Sequence, residues 1–286
     1  MRALAEFVMR GRLQAIAVCV GLALLPLGHW LSAAVVCLVL LRKGVSEGLV
    51  LLLLASIPLI GLYISTGDPG PLMGLMGMVC LASILRSTQS WALVLGAVVV
   101  VAGASSLIFE LLVAEDLTML VEWYLKLTAD GSAQQTDSVE TQQLTRQVIM
   151  GLFAMGQAYA MIGFLVLARS WQSQLYNPGG LQSEFHQLRI PAPLAAGLVA
   201  LLMVCVVMGT PQALRWIPLL TVPLVMAAIG LVHWLVAMKG LSGHWLGGFY
   251  IVLIIMYQLV SPLLASLALM DSWFELRKKF RSDREV

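Results

Sequence analysis

The chain has 286 residues, of which 60% are hydrophobic and only 11% are charged, and its mean hydropathy is +0.91. A water-exposed domain carries roughly 25% charged residues, so this composition excludes a soluble globular protein. The formal net charge of +2 says little as a total, and the positions of the charges are more informative than their sum.

Apolar runs with few charges follow one another along the chain. A helix of about 20 apolar residues crosses a bilayer core of about 30 Å, and these runs do not alternate in polarity as barrel strands do. The sequence therefore predicts an all-α fold, a polytopic transmembrane helical bundle of eight to ten helical segments forming a single integral membrane domain over residues 1–286. The candidate segments are 13–41, 49–65, 72–85, 91–113, 148–168, 192–208, 216–238 and 246–270.

The first and last segments contain helix-breaking residues. Residues 13–41 are interrupted by Pro26-Leu-Gly-His29, and residues 246–270 contain Ser261-Pro262. Proline removes a helix hydrogen bond and clashes with the preceding turn, so each segment is predicted to kink or to turn back at that point.

The basic residues favour turning back. If both segments are helical hairpins, all of the 17 basic residues lie on one side of the membrane except Lys126, Arg146 and Arg215. The basic side of a membrane protein is normally cytoplasmic, so both termini are predicted to be cytoplasmic. The alternative is a single kinked span in each place, and the weakness of the hairpin interpretation is that its half-segments are short for a full bilayer.

Residues 114–146 form the predicted outer loop, which carries six acidic residues and two basic ones. Within it, residues 116–127 have apolar side chains at helical spacing, which predicts an amphipathic helix on the outer membrane surface. Residues 130–137 have no large apolar anchor and are predicted to be the most mobile part of the protein.

Residues 170–190 are predicted to form a cytoplasmic turn and helix. Asn177-Pro178-Gly179-Gly180 is a strong turn sequence, and both glycines are expected to adopt backbone angles that a β-branched residue resists. After the turn, Leu181, Phe185 and Leu188 recur at helical spacing, which predicts a short amphipathic helix at the interface.

The turn and the helix after it resemble the YybS-like family of bacterial inner-membrane proteins, a group without an assigned activity. The similarity rests on Arg169, Leu175-Tyr-Asn-Pro-Gly-Gly180, Glu184-Phe185, Leu188-Arg189 and Leu269-Met-Asp-Ser-Trp-Phe274 followed by basic residues. That family in turn resembles the substrate-binding S-components of energy-coupling-factor transporters and the rod-shape protein MreD. The resemblance implies a multi-pass protein of the bacterial inner membrane with an S-component-like bundle.

Two functions follow as hypotheses. The first is the binding or transport of a small molecule in a cavity between helices. The second is a non-transporting scaffold or assembly factor that binds a protein partner at the cytoplasmic face. Both depend on analogy of fold.

Three polar residues inside apolar segments are candidates for the ligand cavity. Glu110 is the only acidic residue inside a candidate segment, and a carboxylate there normally faces a cavity or a charged partner. His29 and His233 are candidates because an intramembrane imidazole can line a cavity or relay protons.

The alternative function uses the cytoplasmic loop. Its candidate partner-binding residues are Arg169, Tyr176, Asn177, Pro178, Gly179, Gly180, Glu184, Phe185 and Arg189.

No enzyme motif is present in the sequence, so no catalytic residue is predicted. The four cysteines lie in apolar segments without a C-x-x-C pair, and neither a metal site nor a cofactor is expected. Membrane lipids are expected partners. A nucleic acid is not, because the basic tail is already explained as a topology signal.

Overall fold

The computed structural model describes residues 2–25, 27–128 and 139–278, and this part of the chain is helical throughout with no strand, which confirms the all-α class. Residues 130–137, predicted to be mobile, lie outside the described residues. The helices are α1 Arg2–Arg10, α2 Arg12–Ala23, α3 Gly28–Lys43, α4 Val45–Thr66, α5 Gly70–Thr88, α6 Trp91–Leu112, α7 Ala114–Thr128, α8 Val139–Tyr176, α9 Gly180–Gln187, α10 Ala192–Met208, α11 Pro211–Leu214, α12 Ile217–Met238, α13 His244–Ile255 and α14 Tyr257–Phe274.

The long helices make this a multi-pass membrane protein. In the described part of the chain, five segments are long and apolar enough to cross a membrane: α4, α5, α6, α8 and residues 211–238, which contain α12. Two further pairs pass the same test but are bent, α9 with α10 by 61° and α13 with α14 by 118°. The structure therefore contains five spans, or up to seven if each bent pair is one span.

The first predicted segment, residues 13–41, folds back as a helical hairpin. Between α2 and α3, the Ser32 hydroxyl donates a hydrogen bond to the Cys19 carbonyl oxygen at 2.8 Å. Arg12, at the start of α2, lies 3.3 Å from Glu47 at the start of α4, so α2 begins where α3 ends. A Cβ atom on Gly28 would collide with the Leu22 carbonyl oxygen, so the turn requires glycine there.

Helix α3 is the centre of the bundle. Every residue of 32–41 is buried, and the helix packs against α2, α4, α5 and α8. A helix that is apolar on all sides belongs in a protein interior, which is where α3 lies.

The last predicted segment, residues 246–270, also turns back, but not where the sequence predicts. The break is at Met256, and Pro262 lies inside α14, so the predicted break at Ser261-Pro262 is wrong. A proline ring disturbs the helical turn that precedes it, and the bend accordingly lies on the N-terminal side of Pro262. Both the start of α13 and the end of α14 lie close to α9, as the contacts below show.

The described part of the predicted outer loop, residues 114–128 and 139–146, is helical. Helix α7 occupies residues 114–128 and packs on α8 through a cluster containing Leu117, Val121, Leu125 and Met150. Part of its apolar stripe therefore faces protein instead of lipid. Helix α8 has 38 residues and is about 57 Å long, so the predicted span 148–168 is only its middle part.

The hairpin arrangement predicts which positions share a side of the membrane. In a cysteine-free background, Ser242→Cys and Lys278→Cys are expected to react with a membrane-impermeant maleimide from the same side, and Ser65→Cys from the opposite side. Reaction of positions 242 and 278 from opposite sides would show that α13 and α14 form one span.

Candidate functional site

The turn before α9 is held by its backbone and by one serine. Gly179 has a φ of +85°, a left-handed conformation that favours glycine. The Ser173 hydroxyl donates to the Asn177 carbonyl oxygen at 2.8 Å and accepts from the Leu181 amide at 3.1 Å. Gly180 has no positive φ, so its predicted need for special backbone angles is wrong. What constrains Gly180 is space, because a Cβ atom there would meet the Asn177 side chain.

Glu184 of α9 joins three helices. Its carboxylate accepts hydrogen bonds from the Trp91 indole at 2.8 Å and from the Arg169 guanidinium, whose Nε lies 3.1 Å from both oxygens. Arg169 also donates to the Gln172 side chain at 2.5 Å. Two of the predicted partner-binding residues, Arg169 and Glu184, are therefore paired with each other inside the chain.

The end of α3 lies beside this cluster. The Leu41 carbonyl oxygen accepts hydrogen bonds from Arg86 at 2.5 Å and from Gln172 at 3.3 Å. The Arg42 guanidinium lies 4.0 Å from the centre of the Tyr176 ring, a cation–π contact. Tyr176 is thus positioned by a cation of its own chain.

Arg189 connects the end of α9 to the end of α14. It donates to Glu275 at 3.0 Å and to the Ser272 carbonyl oxygen at 2.8 Å. Hydrogen bonds from Lys278 and Arg189 lower the pKa of Glu275, so this carboxylate remains charged in the contact.

Arg277 makes the second connection between α9 and the C-terminal segment. It donates to the carbonyl oxygens of His186 at 2.6 Å and Leu188 at 2.5 Å, and its Nε lies 3.2 Å from buried Asp271. Burial lowers the pKa of Arg277, and Asp271 opposes that shift. The structure thus brings together the turn-helix and the C-terminal segment.

Beneath α9 lies a cavity of about 500 Å³, which we call the α9 cavity. Helix α9 forms one wall with Leu181, Gln182, Phe185 and His186. This volume is in the range of about 300–1,000 Å³ that is typical of small-molecule sites.

Helices α12 and α13 form the facing wall of the α9 cavity. The His233 Nε2 atom lies 2.8 Å from the Tyr250 hydroxyl, and the His233 ring is 5.9 Å from the Phe185 ring. The other lining residues are apolar or glycine: Val166, Val236, Ala237, Leu241, Gly243 and Leu246. His233, a predicted cavity residue, and Phe185, a predicted partner-binding residue, therefore line the same space.

Glu110 lies at the opposite end of α6 from Trp91, in a network of its own. One carboxylate oxygen accepts from Arg146 at 3.0 Å and the other from Arg215 at 2.7 Å. Arg215 also donates to Gln147 at 2.9 Å and to Ser106 at 3.1 Å. Both oxygens are bonded to guanidinium groups, so this carboxylate holds three helical segments together.

His29 lies at the hairpin turn, in a third environment. Its ring centre is 5.3 Å from that of Trp30, which in turn stacks on Phe164 at 5.6 Å. The three predicted cavity residues Glu110, His29 and His233 are therefore not neighbours, and His233 alone of these three lines the α9 cavity.

The roles of Trp91, Asp271, Arg277 and Tyr250 are not predicted by the sequence. Tyr250 and Trp91 resemble ordinary interfacial aromatic residues in sequence, and their partners lie outside helical spacing, at 17 residues for Tyr250 and 93 residues for Trp91. No family model, curated protein or solved structure matches this chain.

Proposed function

We propose that this protein is a multi-pass protein of the bacterial inner membrane that binds a small molecule in the α9 cavity, in a bundle resembling those of S-components. Membership of the YybS-like family and cytoplasmic termini are part of the same proposal. The observation that carries it is the cavity itself, because a largely apolar space with a few convergent polar groups is the usual form of a ligand site.

The ion pairs formed by the cytoplasmic loop favour ligand binding in the cavity over the scaffold function. Charged side chains of this loop are readily available to a protein partner only where they are not already paired within the chain. Arg169 pairs with Glu184, and Arg189 pairs with Glu275, so these side chains are already used within the chain. Binding of a partner through them would first require these ion pairs to break.

A cavity-filling substitution tests the proposal. Ala237 lines the cavity, and Ala237→Trp is expected to abolish the retention of a small molecule by the protein released from nanodiscs in native mass spectrometry. The matched control is Gly163→Trp, which adds a larger side chain where no atom lies within 4 Å of the added Cβ. The wild type and the control are expected to retain the same additional mass.

Retention of the same mass by Ala237→Trp would show that the molecule binds elsewhere. A wild-type protein that retains no small molecule but keeps a protein partner would favour the scaffold function.

A further inference from the structure

Among the described residues, the lining of the α9 cavity carries no permanently charged side chain. None of its lining residues in the described part of the chain is Asp, Glu, Lys or Arg. A charge moved into such a space from water loses its hydration without gaining an ion pair, which is costly near hydrocarbon. The lining therefore selects against ions and favours an uncharged molecule.

Four polar side chains line this cavity, Gln182, His186, His233 and Tyr250, and the last two are hydrogen-bonded to each other. His233 and Tyr250 are 2.8 Å apart and share one hydrogen bond, with the donor set by the histidine tautomer. Together they keep one donor or acceptor site each for a third group, because a neutral imidazole and a phenol each have both capacities. His233 lies five residues before the end of α12, roughly 8 Å along the helix axis. His233 therefore lies within the last two turns of this apolar helix.

Helix α13 is a loosely packed wall of the cavity. Leu253 is its one buried residue, whereas Ile251, Ile254 and Ile255 are exposed. A Cβ atom added at Gly243 or Gly247 would meet no atom within 4 Å. Few buried contacts mean a low free energy of local opening, so this wall can move aside toward the bilayer.

We propose, on the basis of the proposed function, that the ligand is an uncharged amphiphile that enters from the bilayer past α13. Its apolar body lies between Phe185, Val236 and Leu246, and a hydroxyl or amide group of its uncharged head hydrogen-bonds to the His233–Tyr250 pair. A monoacylglycerol has this chemistry, whereas a fatty acid of the same chain length carries a charge.

Photolabelling in proteoliposomes tests the class of ligand. A monoacylglycerol with a diazirine in its acyl chain is expected to label peptides from α9, α12 and α13. Tyr250→Phe removes one hydrogen-bonding group, and half-maximal labelling is expected to require about five- to tenfold more probe. The matched control is Tyr257→Phe, which breaks the Tyr159–Tyr257 hydroxyl contact of 3.0 Å outside the cavity and is expected to leave labelling unchanged.

Three outcomes would overturn this inference. Stronger labelling of the same peptides by a diazirine fatty acid would show that the site prefers a charged head group. Equal loss in Tyr250→Phe and Tyr257→Phe would show that the His233–Tyr250 pair has no specific role. Absence of cavity labelling by either probe, in a protein that retains a small molecule lost in Ala237→Trp, would reject the amphiphile and leave the proposed function standing.

Discussion

Replacing Arg215 with methionine is expected to lower the free energy of unfolding by about 3 kcal/mol or more, because it leaves the Glu110 carboxylate with only one of its two guanidinium partners. The Arg215 side chain is only 6% exposed and that of Glu110 is 17% exposed, so water cannot readily replace the lost contact. The same substitution removes the hydrogen bonds to Gln147 and Ser106. Reversible unfolding in mixed micelles of SDS and a mild detergent measures the loss.

A double-mutant cycle separates this effect from simple loss of packing. Glu110→Leu alone leaves Arg146 and Arg215 close together without their carboxylate and is also expected to be strongly destabilising. The double variant is expected to lose less than the two single losses combined, by about 1–3 kcal/mol. Additive losses would mean that Glu110 and Arg215 do not interact in the folded protein. Glu110→Gln keeps one hydrogen-bond acceptor and is expected to lose less than Glu110→Leu.

The spans and the first hairpin could be predicted because hydrophobic runs and basic residues are local signals. The sequence Pro26-Leu-Gly-His29 predicts the turn of the first hairpin, and the bilayer requires the rest of each run to be helical. The break before α14 could not be located in the same way. A proline marks a disturbance but not the residue at which the chain bends, and the break lies at Met256, six residues before Pro262.

The contact of Glu110 with Arg146 and Arg215 could have been predicted from the sequence. The charge count predicts that Arg146 and Arg215 lie on the outer side, and it places Glu110 at the same end of its predicted span. An isolated carboxylate and two isolated guanidinium groups at the same depth are expected to meet. The structure joins them, at 3.0 Å and 2.7 Å.

The contacts around α9 could not be predicted from the sequence in this way. Glu184 pairs with Arg169 across a turn, and Arg189 pairs with Glu275, which is 86 residues away along the chain. Helical periodicity predicts neighbours three or four residues apart, so it cannot identify these pairs. The α9 cavity is equally non-local, since His233 and Phe185 meet only after α12 has packed beside α9.

The second large effect is expected from a substitution of Glu184, which anchors α9 to its neighbouring helices. Glu184→Leu is expected to lower the free energy of unfolding by about 2 kcal/mol, because the Arg169 guanidinium and the Trp91 indole both lose their acceptor. Arg189 and Arg277 still hold the other end of α9, so the helix should loosen at its N-terminal end while the spans remain inserted. Hydrogen exchange is expected to become faster at the amides of α9 and to stay unchanged in α12.

The matched control is Gln187→Leu, which makes a similar polar-to-apolar change at an exposed position of the same helix and leaves the Glu184 contacts intact. It is expected to change neither stability nor exchange in α9. Because Phe185 follows Glu184 directly and lines the cavity, Glu184→Leu is also expected to reduce retention of the small molecule in native mass spectrometry. If Glu184→Leu loosened α9 without any change in retention, α9 would be a dispensable wall of the cavity. Unchanged exchange in α9 would instead show that its N-terminal end is held by the Ser173 and Leu181 contacts alone.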